Sequence, residues 1–90
     1  MNKFIDINIV LLNKNAQLPS KQHKLDIGYD LYSCNKYDLI PKKVTFIETG
    51  ISIELPPGCA GFILPRSGLA SKHSITSINS PGLIDPGYTG

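Results

Sequence analysis

The sequence predicts an all-β domain of the barrel or sandwich kind. Three observations carry that reading. Apolar residues alternate over short runs, and Pro and Gly mark turns between those runs. No stretch shows the amphipathic period of a helix of about ten residues or more. Neither an internal repeat nor a low-complexity segment interrupts the pattern, so residues 1–90 read as a single domain.

Residues 4–11 come first. Ile5, Ile7, Ile9 and Leu11 fall on one side of an extended chain, with Asp6 and Asn8 on the other, which is the pattern of a half-buried strand. The polar run 13–26, NKNAQLPSKQHKLD, predicts a loop. IGYDLYS, Ile27 to Ser33, predicts a brief strand with a turn or bulge at Gly28. In KVTFIETGISIEL, Val44 and Phe46 share one face; after Thr49-Gly50 the apolar face moves to Ile51, Ile53 and Leu55. Even positions give way to odd ones, so a β-bulge is expected at Glu48 to Gly50. Pro56-Pro57-Gly58 predicts a turn, and Cys59 to Leu64 a returning strand in a hairpin with residues 51–55. Pro65 ends that strand. Ser67 stands where it can cap a short helical turn over Gly68 to Lys72. Ser74 to Ile78 predicts a further short strand, and Pro81-Gly82 turns the chain into Leu83-Ile84.

Composition bounds the function. The chain is 41% hydrophobic and 18% charged, with a formal net charge of +2. Lys and Arg are spread along it, so charge gives no argument for nucleic acid. No apolar run is long enough to span a membrane. Acidic and amide residues interrupt the apolar start, and no small-residue cleavage site follows, so no secretory leader is predicted. Cys34 and Cys59 have no CxxC spacing and read as buried free thiols in a reducing compartment. His23 and His73 fit no zinc spacing.

A few residues stand out chemically, each with a plainer reading beside it. At Pro65 to Gly68, an Arg, a hydroxyl and a glycine open a strand-to-helix turn whose outward N–H groups suit a phosphate; the plainer reading is an N-cap serine beside a surface arginine. Asp30, between Tyr29 and Leu31, either stabilises a turn or orients an arginine or a metal-bound water. Asp85 is explained by its Asp-Pro-Gly turn, or accepts a proton from water or holds a sugar hydroxyl. Tyr88 is a core aromatic or a ring laid on a sugar or planar face. Asn79 stabilises a loop, or offers the donor and acceptor that reading a base edge requires.

Taken in order, IGYDLYS, PRSGLA and NSPGLIDPGYTG closely resemble the first three motifs of the trimeric dUTP diphosphatases, or dUTPases. Ile27, in place of the usual alanine before Gly28, is the one departure within them. The resemblance covers Leu25 to Gly90 and implies a distorted β-barrel or jelly roll. It implies hydrolysis of dUTP to dUMP and diphosphate, with Mg²⁺ on the triphosphate. Asp85 would activate the water and hold the 3′-hydroxyl, and Tyr88 would pack on the deoxyribose. Asn79, with backbone groups of Gly82, Leu83 and Ile84, would read uracil. Arg66, Ser67 and Gly68 would hold phosphates from a different subunit of a homotrimer, and Asp30 would reach the metal through a water.

In the family's pattern two further motifs fall beyond Gly90. One supplies an Arg and a Gln near the phosphates, the other a glycine-rich arm over the nucleotide. The resemblance therefore implies a barrel incomplete at its C-terminus and little or no turnover by these residues alone. It also implies a cytoplasmic setting, or a nuclear one for a eukaryotic or viral protein, with no membrane and no direct nucleic-acid partner. Two alternatives stand beside it. One is a dCTP deaminase relative, which shares the barrel but favours a different serine turn. The other is a dUTPase-like module that binds nucleotide or a partner without catalysis.

Overall fold

The computed structural model describes residues 4–90; residues 1–3, included in the predicted domain, lie outside the described residues. Its elements are β1 (Asn8–Leu11), β2 (Ile51–Glu54), β3 (Gly61–Ile63), α1 (Ser67–His73) and β4 (Gly82–Ile84). The class is all-β as predicted, since the helix among the described residues has only 7 residues. β1 pairs with β2, and β3 with β4. The chain divides into two compact units, formed chiefly by Asn8–Ile53 and by Glu54–Thr89.

The first unit holds the β1–β2 sheet, which the Leu12 N–H prolongs by donating to the Gly50 carbonyl at 2.7 Å. Gly50 has φ +71°, and a Cβ there would lie 2.7 Å from Asn13 Nδ2. Glycine takes such a left-handed position without strain, whereas a side chain would be strained and would have to displace Asn13 and crowd Ala16. The β-bulge predicted at Glu48 to Gly50 is not formed among the described residues; what stands there is a left-handed glycine directly before β2. The strand expected over Val44 and Phe46 is not formed either. Glu48 donates its N–H to Tyr37 Oη at 3.1 Å and accepts from the Cys34 N–H at 3.0 Å. These single bonds to a loop take the place of a ladder, and a strand without a ladder does not persist.

The strand predicted over 4–11 shortens to β1 for the same reason; Ile5 and Ile7 are exposed and Ile9 alone of that face is half-buried. IGYDLYS is not a strand either. It contributes one antiparallel bridge, Asp30 to Ser20, so part of the predicted loop 13–26 folds back along it. Ile27 is 95% exposed.

In the second unit, the Pro56-Pro57-Gly58 turn is closed by the Cys59 N–H on the Pro56 carbonyl at 3.1 Å. The hairpin expected across this turn is absent among the described residues: β2 pairs with β1, and β3 with β4. Two adjacent prolines remove the N–H groups with which a ladder would run into the turn. β3 pairs antiparallel with β4 instead, with Gly61 opposite Ile84, Phe62 opposite Leu83 and Ile63 opposite Gly82.

α1 starts one residue earlier than predicted. Arg66 is its N-cap (φ −80°, ψ 130°), with no side-chain capping bond, and Ser67 lies inside the first turn rather than capping it. Ser74 closes the helix in the left-handed region, φ 56°. Its N–H donates to the Ala70 carbonyl and the Ile75 N–H to the Leu69 carbonyl, both at 3.1 Å. Those commitments are why the strand expected over Ser74 to Ile78 does not form. The buried apolar side chains among the described residues are Cys34 and Leu55; Cys59 is half-buried rather than buried, and both thiols are free. Large apolar side chains such as Phe46, 90% exposed, therefore have no core within the described chain.

Candidate active site

β4 and the residues on either side of it carry three of the predicted site side chains. At its head, Gly82 is buried, and a Cβ there would meet the Asn79 carbonyl at 3.1 Å, Ile63 Cβ at 3.5 Å and Asn79 Nδ2 at 3.7 Å. The missing side chain leaves room for the Asn79 carbonyl, and the Asn79 amide lies at ordinary contact distance from the same place. The Ser80–Pro81 peptide between them is cis. β3 covers one edge of β4, so among the described residues the N–H and C=O groups of the other edge face no strand. An amide side chain beside an unpaired strand edge can read a planar polar ring through both donors and acceptors.

At the tail of β4, Asp85 to Tyr88 form a turn closed by the Tyr88 N–H on the Asp85 carbonyl at 3.2 Å. Pro86 fills its second position and Gly87, φ +80°, its third, as a type II turn requires. The Gly87 N–H donates to the carbonyl of buried Leu55 at 3.0 Å, which fixes the turn to the chain that leads into β3. Asp85 and Tyr88 thus occupy the first and last positions of an anchored turn, and both are exposed. Among the described residues no side chain takes the Asp85 carboxylate. The carboxylate can accept a proton or a hydroxyl donor, and the Tyr88 ring offers an apolar face beside it.

The second predicted cluster, Arg66 to Gly68, begins α1. The Ala70 N–H is bonded to the Arg66 carbonyl at 3.0 Å, which leaves the earlier N–H groups of the first turn outside the helical ladder. Arg66, Gly68, Leu69, Lys72 and His73 line a groove beside the helix; Asn79, Asp85 and Tyr88 do not line it. Lys72 and His73 were not singled out from sequence. Their signal was helical spacing, since they stand one turn beyond Gly68 and Leu69. Gly68 has nothing within 4 Å of the position a Cβ would take. No contact within the described chain requires a glycine there, although glycine weakens a helix.

Asp30 lies in the other unit. It is half-buried, and its Oδ2 accepts from Gln22 Nε2 at 2.8 Å. Gln22 was read only as part of a polar loop. The Ser20–Asp30 bridge is what brings it near. No group of three or more His, Cys, Asp or Glu side chains able to hold a metal occurs among the described residues. No helix of the described residues is long and apolar enough to cross a membrane.

Fold and site together define an all-β chain with an amide and a carboxylate flanking one strand and an arginine-led groove beside its helix. The chain belongs to the dUTPase family, whose model matches residues 14–90. It is 46% identical over 85 residues to the deoxyuridine 5'-triphosphate nucleotidohydrolase of Clostridioides difficile, covering 94% of this chain and 59% of that protein. It is 45% identical over 86 residues to the enzyme of the same name from Crocosphaera subtropica, covering 96% and 61%. The dUTPase of Staphylococcus bacteriophage 80alpha, solved with dUpNHpp, matches with a TM-score of 0.81 at 36% identity, over 94% of this chain and 49% of that one. A mutant dUTPase of phage phi11 of S. aureus, in which a structural Mg(II) ion is coordinated, matches with a TM-score of 0.82 at 35% identity, over 96% and 55%. The chain thus spans about half to three-fifths of the length of these relatives.

Proposed function

We propose that this protein serves the hydrolysis of dUTP to dUMP and diphosphate. The observation that carries the proposal is the β4 unit: Asn79 against Gly82 at its head, Asp85 and Tyr88 on an anchored turn at its tail. Asn79 and the backbone of Gly82, Leu83 and Ile84 present donors and acceptors to the uracil edge. Tyr88 lies on the deoxyribose, and Asp85 accepts from the 3′-hydroxyl and takes a proton from the attacking water. The water oxygen forms a new P–O bond as the phosphoanhydride bond breaks, and the chain supplies position and charge rather than a covalent intermediate. Arg66, Ser67 and the Gly68 backbone hold phosphate oxygens, and Gly68 leaves room for them. In a homotrimer that cluster serves the β4 unit of a neighbouring copy.

Mg²⁺ arrives with the triphosphate. This fits a chain that offers no cluster of metal-ligating side chains among its described residues, because Mg²⁺ is held by phosphates, waters and one or two carboxylates. Asp30 would hold one of its waters, and the ion would supply charge neutralisation on the phosphates.

Calorimetry with dUpNHpp, dCTP and dUMP, alongside a diphosphate-release assay, tests the proposal. Binding of dUpNHpp in preference to dCTP is expected. Equal or better binding of dCTP would move the protein to the deaminase relatives, and no binding of any of the three would end the nucleotide reading.

A further inference from the structure

Resting on the reading of Asp30 as the carboxylate for a metal-bound water, we propose that Gln22 is a positioning residue that sets this carboxylate. Ser20 and Asp30 form a lone antiparallel bridge, with the Ser20 N–H on the Asp30 carbonyl at 3.3 Å and the Asp30 N–H on the Ser20 carbonyl at 2.7 Å. A lone bridge fixes the backbone of Asp30 but not its side-chain torsions. Gln22 reaches across the bridge and donates Nε2–H to Oδ2 at 2.8 Å, a direct contact that biases the orientation of the carboxyl group.

The segment that carries Gln22 is held along its length. Ser20 Oγ and Tyr32 Oη are hydrogen-bonded at 2.5 Å, and Lys21 Nζ stands 4.9 Å from the centroid of the Tyr29 ring. Ser20 and Gln22 thus engage Tyr32 and Asp30, while Lys21 engages Tyr29, the residue before Asp30. The chemistry of the donor matters as much as its place. An amide orients a carboxylate and leaves its negative charge intact, whereas a lysine or arginine at the same point would offset the charge that a cation's water must feel. Groups that orient a metal-binding side chain in this way tune the affinity of the metal.

The test is calorimetric titration of the full chain with dUpNHpp, once with Mg²⁺ and once in EDTA, for wild type, Gln22→Met, Gln22→Ala and Asp30→Asn. The readout is the gain in affinity that Mg²⁺ brings. Gln22→Met keeps the length and loses the donor, so it is expected to cut that gain about tenfold while affinity in EDTA and the melting temperature stay at wild-type values. Gln22→Ala is expected to match it. A gain that falls in Asp30→Asn but survives in both Gln22 variants overturns this inference and leaves the reading of Asp30 standing. A wild-type chain with no Mg²⁺ gain, or no binding, overturns that reading and the inference with it. Equal losses with and without Mg²⁺ would make Gln22 merely structural and also overturn it.

Discussion

The β4 unit and the start of α1 solve the placing of functional groups in opposite ways. β4 is held by partners of its own chain: a ladder to β3, the Asn79 contact over Gly82, and the Gly87 bond to buried Leu55. The start of α1 has an extended N-cap whose side chain makes no capping bond to the helix, and a glycine that nothing in the described chain requires. The difference teaches which wall is organised before a ligand arrives. Asn79, Asp85 and Tyr88 are fixed by steric and hydrogen-bond constraints that already exist. Nothing in the described chain within 4 Å of the position a Gly68 Cβ would take calls for a glycine; under the proposed function the open space is for a phosphate.

The sharpest way to break this contrast is to fill the space over Gly82. Gly82→Val puts branched bulk against the Asn79 carbonyl and Ile63, at a buried position with no room to yield. A loss of about 2–3 kcal/mol in urea unfolding is expected, together with loss of dUpNHpp binding. An unchanged unfolding midpoint would mean that Asn79 is not held as described. Gly87→Ala is the milder form of the same attack. Its φ of +80° costs an alanine about 1 kcal/mol, and the displaced turn should weaken dUpNHpp binding through Asp85 and Tyr88.

The helix should respond the other way. Gly68→Ala is expected to leave stability unchanged or raise it by up to about 1 kcal/mol, since alanine is the better helix former and the space is open. Nucleotide affinity should nevertheless fall about tenfold, as expected when a backbone approach to phosphate is blocked. Comparing thermal melting with calorimetry of the same sample checks it, and a parallel fall in both would erase the contrast. The smallest effect is expected at Ser74, which adopts φ 56° at the helix C-cap. Ser74→Gly should stabilise the unit by about 0.5–1 kcal/mol in the same melting assay and leave dUpNHpp affinity unaltered.

Local signals of the kind seen here survive translation into three dimensions when one or two residues determine them. Pro57-Gly58 and Pro86-Gly87 are turns because proline fixes φ and glycine accepts a positive one, whatever surrounds them. Gly50 takes a positive φ for the same reason, although no strand precedes it for a bulge to interrupt. Pairing was not legible in this way. Residues 51–55 and 59–64 look like a hairpin because they are adjacent and alternate, yet β2 and β3 each pair with distant partners. Alternation says that a segment can be a strand, and it does not say beside what. Predicted strands over 44–46 and 74–78 failed because their neighbours' backbone groups were engaged by loops and a helix cap.

By itself, the sequence determined the all-β class, the turns, the family through three ordered motifs, and the candidates Asp30, Arg66, Ser67, Gly68, Asn79, Asp85 and Tyr88, because residue chemistry and short spacing are local. The tertiary structure alone decided which strands pair, why Gly82 must be bare, that Leu55 anchors the Asp85 turn, and that Gln22 serves Asp30. Those contacts, some within a turn or a bridge and some across much of the chain, depend on one hydrogen bond or one missing Cβ that selects among pairings the alternating pattern alone would permit equally.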